Sequence, residues 1–204
     1  MDEQHAPPNH HATYPAFSGI AGFVAALSMA FGRKANARFA VQLSGMESGD
    51  TVVDIGCGPG AAVRYSARLG ATVIGADPAP VMLRFARMLT PHTAKVRYIE
   101  GAAEAIPLPE DSASIIWSIA TVHHWSDIDA GLREVQRVLL SGGRLVALER
   151  QAQQGARGHA SHGWTDEQAN AFVNRCREHG FTDVHLERAA NGRRSTVGVV
   201  ASAP

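Results

Sequence analysis

The sequence predicts an α/β fold: a doubly wound, seven-stranded, mostly parallel sheet with an antiparallel C-terminal hairpin and helices on both faces. Three observations predict it. From Thr51 onward, short β-branched runs alternate with helix-period stretches, the pattern of right-handed βαβ crossovers around a covered parallel sheet. The first run opens into a glycine loop, Gly56-Cys57-Gly58-Pro59-Gly60, at the place where open α/β sheets bind ligands. Two late runs flank Asn191-Gly192, the strongest short hairpin signal.

Each element has its own reason. The parallel strands are expected at Thr51–Ile55, Thr72–Gly75, Val96–Ile99, Ile115–Ile119 and Arg144–Leu148, where branched apolar residues cluster. Helices are expected at Ala61–Leu69, Pro80–Leu89 and Asp127–Leu140; in the last, Ile128, Leu132, Val135 and Leu139 share one face. Thr165-Asp166-Glu167-Gln168 is a capping box, and Gly180 stands where that helix should stop. Thr182–Arg188 and Thr196–Ser202 then form the hairpin. Residues 1–45 read as a proline-bearing tail and a helical lid, and residues 46–204 as the ligand-binding domain.

Composition removes several function classes. At 204 residues the chain is one domain with a short appendage. Nineteen Lys plus Arg balance nineteen Asp plus Glu, which leaves no basic footprint for nucleic acid. Cys57 and Cys176 are far apart and make no metal-type pair. The most apolar stretch, Ile20–Phe31, has 12 residues, short of the ~20 that a membrane span needs. Acidic Asp2 and Glu3 do not suit a signal peptide, so a cytoplasmic location without stable membrane insertion is expected.

The glycine loop carries the chemistry. Glycine there lets a ligand approach the backbone where a Cβ would collide. Seventeen residues past Gly60, Asp77 closes the run Thr72-Val73-Ile74-Gly75-Ala76-Asp77. A carboxylate at that strand end can accept from the paired hydroxyls of a ribose. Loop and acid together specify a nucleoside-containing cofactor; the plainer reading is a tight turn beside a solvated acid. A dinucleotide site wants G-x-G-x-x-G. Here the glycines are 56, 58 and 60, preceded by Asp54, and an acid in the turn suits an ammonium group better than a pyrophosphate.

Five ordered blocks extend the pattern: Asp54-x-Gly56-x-Gly58-x-Gly60, Asp77, Gly101-Ala-Ala-Glu-Ala-Ile-Pro-Leu-Pro109, Trp117-Ser-Ile-Ala-Thr-Val-His-His-Trp125 and Val138-Leu-Leu-Ser-Gly-Gly-Arg-Leu145. Over about residues 50–150 the chain resembles the class I S-adenosylmethionine-dependent methyltransferases, in particular the small-molecule branch that includes quinone-biosynthesis enzymes. The resemblance implies S-adenosylmethionine as cofactor, with S-adenosylhomocysteine as product. It implies that Asp54, Gly56, Cys57, Gly58 and Gly60 hold the methionine part, that Asp77 binds the ribose, and that Pro78 and Met82 lie near the adenine. Ala102 and Ala103 fall where the family reads the adenine edge, often with an Asp after the glycine. Ala102 departs from that pattern, so backbone groups of Ala103 or the carboxylate of Glu104 take the role, unless Glu104 is a solvated loop acid. Ser118 and Ile119 would line the sulfonium region.

His123 is the first candidate for a base that deprotonates the acceptor and His124 the second; the alternative is that they shape the loop. His159 and His162 lie in a Gly/Ala-rich loop. Without a third ligand no metal is assigned, and substrate contact or solvation remain. Glu149 ends the fifth strand facing the same region. Tyr14, Phe17 and Phe31 could cover the substrate and Arg33 could meet the cofactor carboxylate, or the segment packs on the sheet or in a homodimer.

The sequence therefore predicts methyl transfer to oxygen or carbon of a small acceptor such as a quinol, phenol, sterol-like lipid or sugar derivative. The rivals are a non-catalytic cofactor-binding regulatory module and an NAD-dependent oxidoreductase, which would want the longer glycine spacing.

Overall fold

The structure is a computed structural model and describes residues 34–92, 95–155, 162–191 and 194–204. Tyr14, Phe17, Phe31, Arg33 and His159 lie outside the described residues, as does Gly192 of the predicted hairpin turn. Seven strands form one sheet: β1 (Thr51–Ile55), β2 (Thr72–Asp77), β3 (Val96–Glu100), β4 (Ala113–Ile119), β5 (Leu139–Arg150), β6 (Thr182–Asn191) and β7 (Arg194–Ser202). The helices are α1 (Lys34–Ser44), α2 (Ala61–Arg68), α3 (Pro80–Leu89), α4 (Ile128–Val138) and α5 (Asp166–Glu178), with a 3-10 turn at Val122–His124.

The sheet order is β3-β2-β1-β4-β5-β7-β6. The first five strands pair in parallel, and β7 runs antiparallel to both β5 and β6. The chain builds outward from β1 to β3, then returns to lay β4 on the other side of β1. That reversal is a topological switch point, and the crevice at the carboxyl ends of β1 and β4 is where such sheets take ligands. The predicted doubly wound, mostly parallel sheet with its antiparallel hairpin is the fold observed.

Helices cover both faces, and the central strands β1, β2 and β4 bury both of their sides. Ala37 and Ala40 of α1, Ala62 and Val63 of α2, and Leu83 and Ala86 of α3 share one core with Val52, Val73, Ile115 and Trp117. Leu132 and Val135 of α4 and Ala169, Phe172 and Val173 of α5 share the other with Val53, Ile116, Leu145 and Val199. Phe172 is wholly buried against Trp164 and Trp125, at ring-centroid distances of 4.9 and 6.3 Å; burial of such a ring contributes about 1.5–3 kcal/mol.

Local signals placed the ends. Thr165 accepts from the Gln168 N–H, and the Gln168 side chain accepts from the Thr165 N–H, so the capping box starts α5 as read. Gly180, at φ +83°, follows its end. One boundary differs: α4 stops at Val138, and Leu139 already pairs with Ala113 as the start of a longer β5. The chain turns there through Gly142, at φ +72°, whose N–H donates to Ala203 O at 3.1 Å. Among the described residues no helix is long and apolar enough to cross a membrane.

Candidate active site

The glycine loop is fastened to the end of β2. The N–H groups of Gly56 and Cys57 both donate to Ala76 O, at 2.8 and 3.0 Å. Gly58 N–H then donates to Asp77 Oδ2 at 2.8 Å, and Ala79 N–H donates to Asp77 Oδ1 at 2.9 Å. Gly56, Gly58 and Gly60 all have φ between +52° and +74°, a region that costs other residues about 1–2 kcal/mol. A Cβ on Gly60 would strike the Tyr98 hydroxyl, whereas one on Gly58 would meet no protein atom within 4 Å. Gly60 is therefore required by packing and Gly58 by backbone shape.

The crevice itself is an open cleft of about 310 Å³, counted out to solvent, lined by Asp54, Gly56, Cys57, Pro59, Ala61, Ala62 and Ile119. Asp54 and Asp77 are both buried. Burial and these two carboxylates push the Cys57 thiol well above its usual range, so it stays protonated and unreactive. Pro78 is exposed at the start of the next loop, while Met82, in the first turns of α3, is buried.

From the other side β4 delivers Ser118, Ile119 and the turn beyond. Thr121 Oγ1 donates to Ile55 O at 2.9 Å and so accepts from Ser118 Oγ at 2.7 Å. The Thr121 methyl occupies the space that a Gly56 side chain would need. Ala120 between them has φ +57° and donates to Leu148 O at 2.6 Å. A non-glycine residue in that region is held by its surroundings, a feature common at functional sites.

The same turn presents His123, which is 4% exposed. Its Nδ1 lies 2.9 Å from both carboxylate oxygens of Glu149, itself 1% exposed at the end of β5. The His124 ring packs against it at a centroid distance of 3.9 Å, tilted by 47°, and His162 meets it edge-on at 5.8 Å. Arg150 Nε donates to His162 O at 2.9 Å and thereby holds that segment against β5.

The loop after β3 is arranged differently from one of the expectations. Glu104 Oε1 accepts from Ser126 N–H, Ser126 Oγ and Asp127 N–H, at 2.5, 2.9 and 3.1 Å. That oxygen ties down the residues entering α4. Ala102 and Ala105 form an isolated bridge, with Ala105 N–H donating to Ala102 O at 3.2 Å, and Ala103 is buried. Two residues absent from the sequence-based site shape it, Thr121 and Tyr98 behind the loop, and Glu149, expected only to face the same region, is the partner of His123.

The donor set fits one cofactor class better than the other. Two buried carboxylates at the loop are acceptors, suited to an ammonium group and to ribose hydroxyls. Asp54 lines the cleft together with Ala61 and Ala62 at the start of α2, where a pyrophosphate would sit in a dinucleotide enzyme.

Sheet order, glycine loop and strand-end acid are those of the scaffold seen in S-adenosylmethionine-dependent methyltransferases. Residues 53–147 match the family described as Methyltransferase domain. The demethylmenaquinone methyltransferase of Tropheryma whipplei is 35% identical over 112 residues, which cover 55% of this chain and 46% of that one. The ubiquinone/menaquinone biosynthesis C-methyltransferase UbiE of Hahella chejuensis is 35% identical over 118 residues, covering 55% and 47%. The chain thus spans about half the length of the curated relatives it matches. The solved structure of a SAM-dependent methyltransferase from Aquifex aeolicus shares the fold, with a TM-score of 0.73, 16% identity and coverage of 89% of this chain and 98% of that one. The match places residues 53–147 with the methyltransferase domains, and S-adenosylmethionine is the cofactor of that class.

Proposed function

We propose that the protein transfers a methyl group from S-adenosylmethionine to carbon or oxygen of a small, partly apolar acceptor of quinol or phenol type, with His123 taking the acceptor's proton. The observation that carries this reading is the place of His123, buried in the turn directly after Ile119, a wall of the cleft. The demethylmenaquinone and ubiquinone/menaquinone relatives support the acceptor class. The free thiols of Cys57 and Cys176 suit a reducing cytoplasm.

The bound cofactor supplies a methyl group activated on a sulfonium. The chain's own residues do the rest. In this reading the Asp54–Gly60 loop holds the methionine part and Asp77 takes the ribose hydroxyls. Pro78 and Met82 border the adenine, Ala102 and Ala103 read its edge, and Ser118 and Ile119 shape the wall beside the reacting centre. Glu104 contributes to that pocket through the loop it anchors. Holding acceptor and methyl in line is worth about 7–11 kcal/mol in favourable cases. Removal of a hydroxyl proton by His123 makes the oxygen nucleophilic, and in a quinol it loads electron density onto the neighbouring ring carbon. His124 is the reserve candidate for the same task.

Calorimetry with S-adenosylmethionine, S-adenosylhomocysteine and NADH tests the cofactor, and turnover of a short-chain demethylmenaquinol tests the acceptor. Both sulfur ligands should bind, NADH should not, and a methylated quinol should form. His123→Asn should lower kcat by about 100- to 10,000-fold, the range a base contributes, with S-adenosylhomocysteine affinity kept. NADH binding alone overturns the assignment. Cofactor binding with no methylation of quinols or phenols overturns catalysis in favour of a regulatory module.

A further inference from the structure

We infer that Glu149 is a positioning residue that fixes His123 in the tautomer protonated at Nδ1, leaving Nε2 as the atom that takes the acceptor's proton. The inference rests on the base reading of His123 for its consequence, but its geometry stands in the protein without cofactor or acceptor.

An ionised carboxylate only accepts hydrogen bonds. With Nδ1 at 2.9 Å from both Glu149 oxygens, the ring proton belongs on Nδ1, and the neutral imidazole's lone pair is on Nε2. The His123 backbone N–H also points at Oε1, at 3.5 Å, so ring and main chain converge on one carboxylate. The carboxylate is fixed in turn. Glu149 lies one residue beyond the last β4–β5 pair, Ile119 with Leu148, and pairs with Val197 of β7 on its other side. His124 and His162 flank the ring and limit its rotation. A group held by paired strands and packed neighbours keeps its geometry through a reaction.

The pair also answers an electrostatic problem. When Nε2 takes a proton, a buried imidazolium forms, and a lone buried charge is strongly disfavoured. Glu149 opposite Nδ1 neutralises it. The step balances: the acceptor's O–H bond breaks and its proton goes to Nε2. An electron pair of the acceptor oxygen, or of the ring carbon conjugated to it, closes the bond to the methyl carbon. The bond from that carbon to sulfur breaks, and its pair stays on sulfur. For carbon, the ring hydrogen leaves afterwards as a proton to water. Such a site favours acceptors whose nucleophile bears, or is conjugated to, an acidic hydroxyl.

A purely structural tie between β5 and the histidine turn would need only the hydrogen bond, which Glu149→Gln can keep. The test is therefore the ring itself. Nitrogen-15 NMR of selectively labelled histidine, without cofactor, should show His123 protonated at Nδ1 in the wild type. Glu149→Gln should shift the population toward the Nε2–H form. With a demethylmenaquinol, the same variant should lose about 100-fold in kcat, the low end of a base's contribution, with thermal midpoint and S-adenosylhomocysteine affinity held. A wild-type His123 protonated at Nε2 overturns the inference. So does a Glu149→Gln enzyme of full kcat beside an inactive His123→Asn. Failure of the wild type to bind S-adenosylhomocysteine strikes the functional reading instead, and the tautomer measurement still decides this one.

Discussion

Gly58 N–H donates to Asp77 Oδ2 at 2.8 Å, so the acid proposed to take the ribose is also the clasp of the loop proposed to take the methionine. One carboxylate links the ends of β1 and β2, which makes cofactor affinity and loop order inseparable at this position. Asp77→Ala should cost about 2–3 kcal/mol of stability, as expected for lost bonds to a charged group, and abolish S-adenosylhomocysteine binding. Asp77→Asn should be intermediate, because an amide offers one acceptor oxygen where the loop uses two. Denaturant titration and calorimetry on the two variants separate these effects.

The glycines of the loop should divide by function. Gly60→Ala places a methyl on the Tyr98 hydroxyl at a left-handed φ, and overpacking plus backbone strain should cost about 2–5 kcal/mol. Adding Tyr98→Phe should recover part of that loss. Gly58→Ala meets no protein atom, so its stability cost should stay near the backbone strain of about 1–2 kcal/mol while cofactor affinity falls. Urea unfolding of the three variants reads the order.

Acid should loosen the join between α4 and the loop after β3. Glu134 accepts from Arg137 Nε at 2.7 Å and from Ile106 N–H at 2.9 Å. The Arg137 bond holds its carboxyl below the usual glutamate value of 4.5, against the opposing effect of burial. A depressed folded pKa means stability that is fully present above 4.5 and is lost as pH falls through the lower folded value. Thermal midpoints measured from pH 6 down to pH 3 should fall less steeply in Glu134→Gln than in the wild type.

Both thiols should be silent in the native state. Cys176 is buried with its pKa pushed up to about 12 by burial, and Cys57 is raised by burial and by Asp54 and Asp77. Maleimide at pH 7.5 should label neither until denaturant is added, as the thiolate is the reactive form. Rapid native labelling at Cys57 would show that the loop opens.

Much of this fold was legible because its signals are local. Thr51–Ile55 is bounded by the glycine loop and α5 by its capping box, and β6 and β7 pair antiparallel as the late runs suggested. The end of α4 was not legible, since Leu139 continues the helical face and only its pairing with Ala113 makes it strand. Within the site, the loop and Asp77 announce themselves by spacing. His123 with Glu149 does not: the two are 26 residues apart and meet through the parallel register of β4 with β5. Only the placement of Glu149 at a strand end hinted at it. Glu104 shows the converse case. The spacing did not reveal that Oε1 of this loop acid accepts from three donors of the Ser126–Asp127 turn.

The strand order has a consequence in time. β7 follows β6 in the chain but sits between β5 and β6, so during synthesis from the N-terminus β6 has no neighbour in the sheet until β7 has emerged. Until then β5 is a bare margin on one side, and Glu149 belongs to it. The His123–Glu149 pair, proposed above to handle the proton, is therefore encoded after the strands of the proposed cofactor cradle, since β1, β2 and β4 all lie within the first 119 residues and Glu149 follows them.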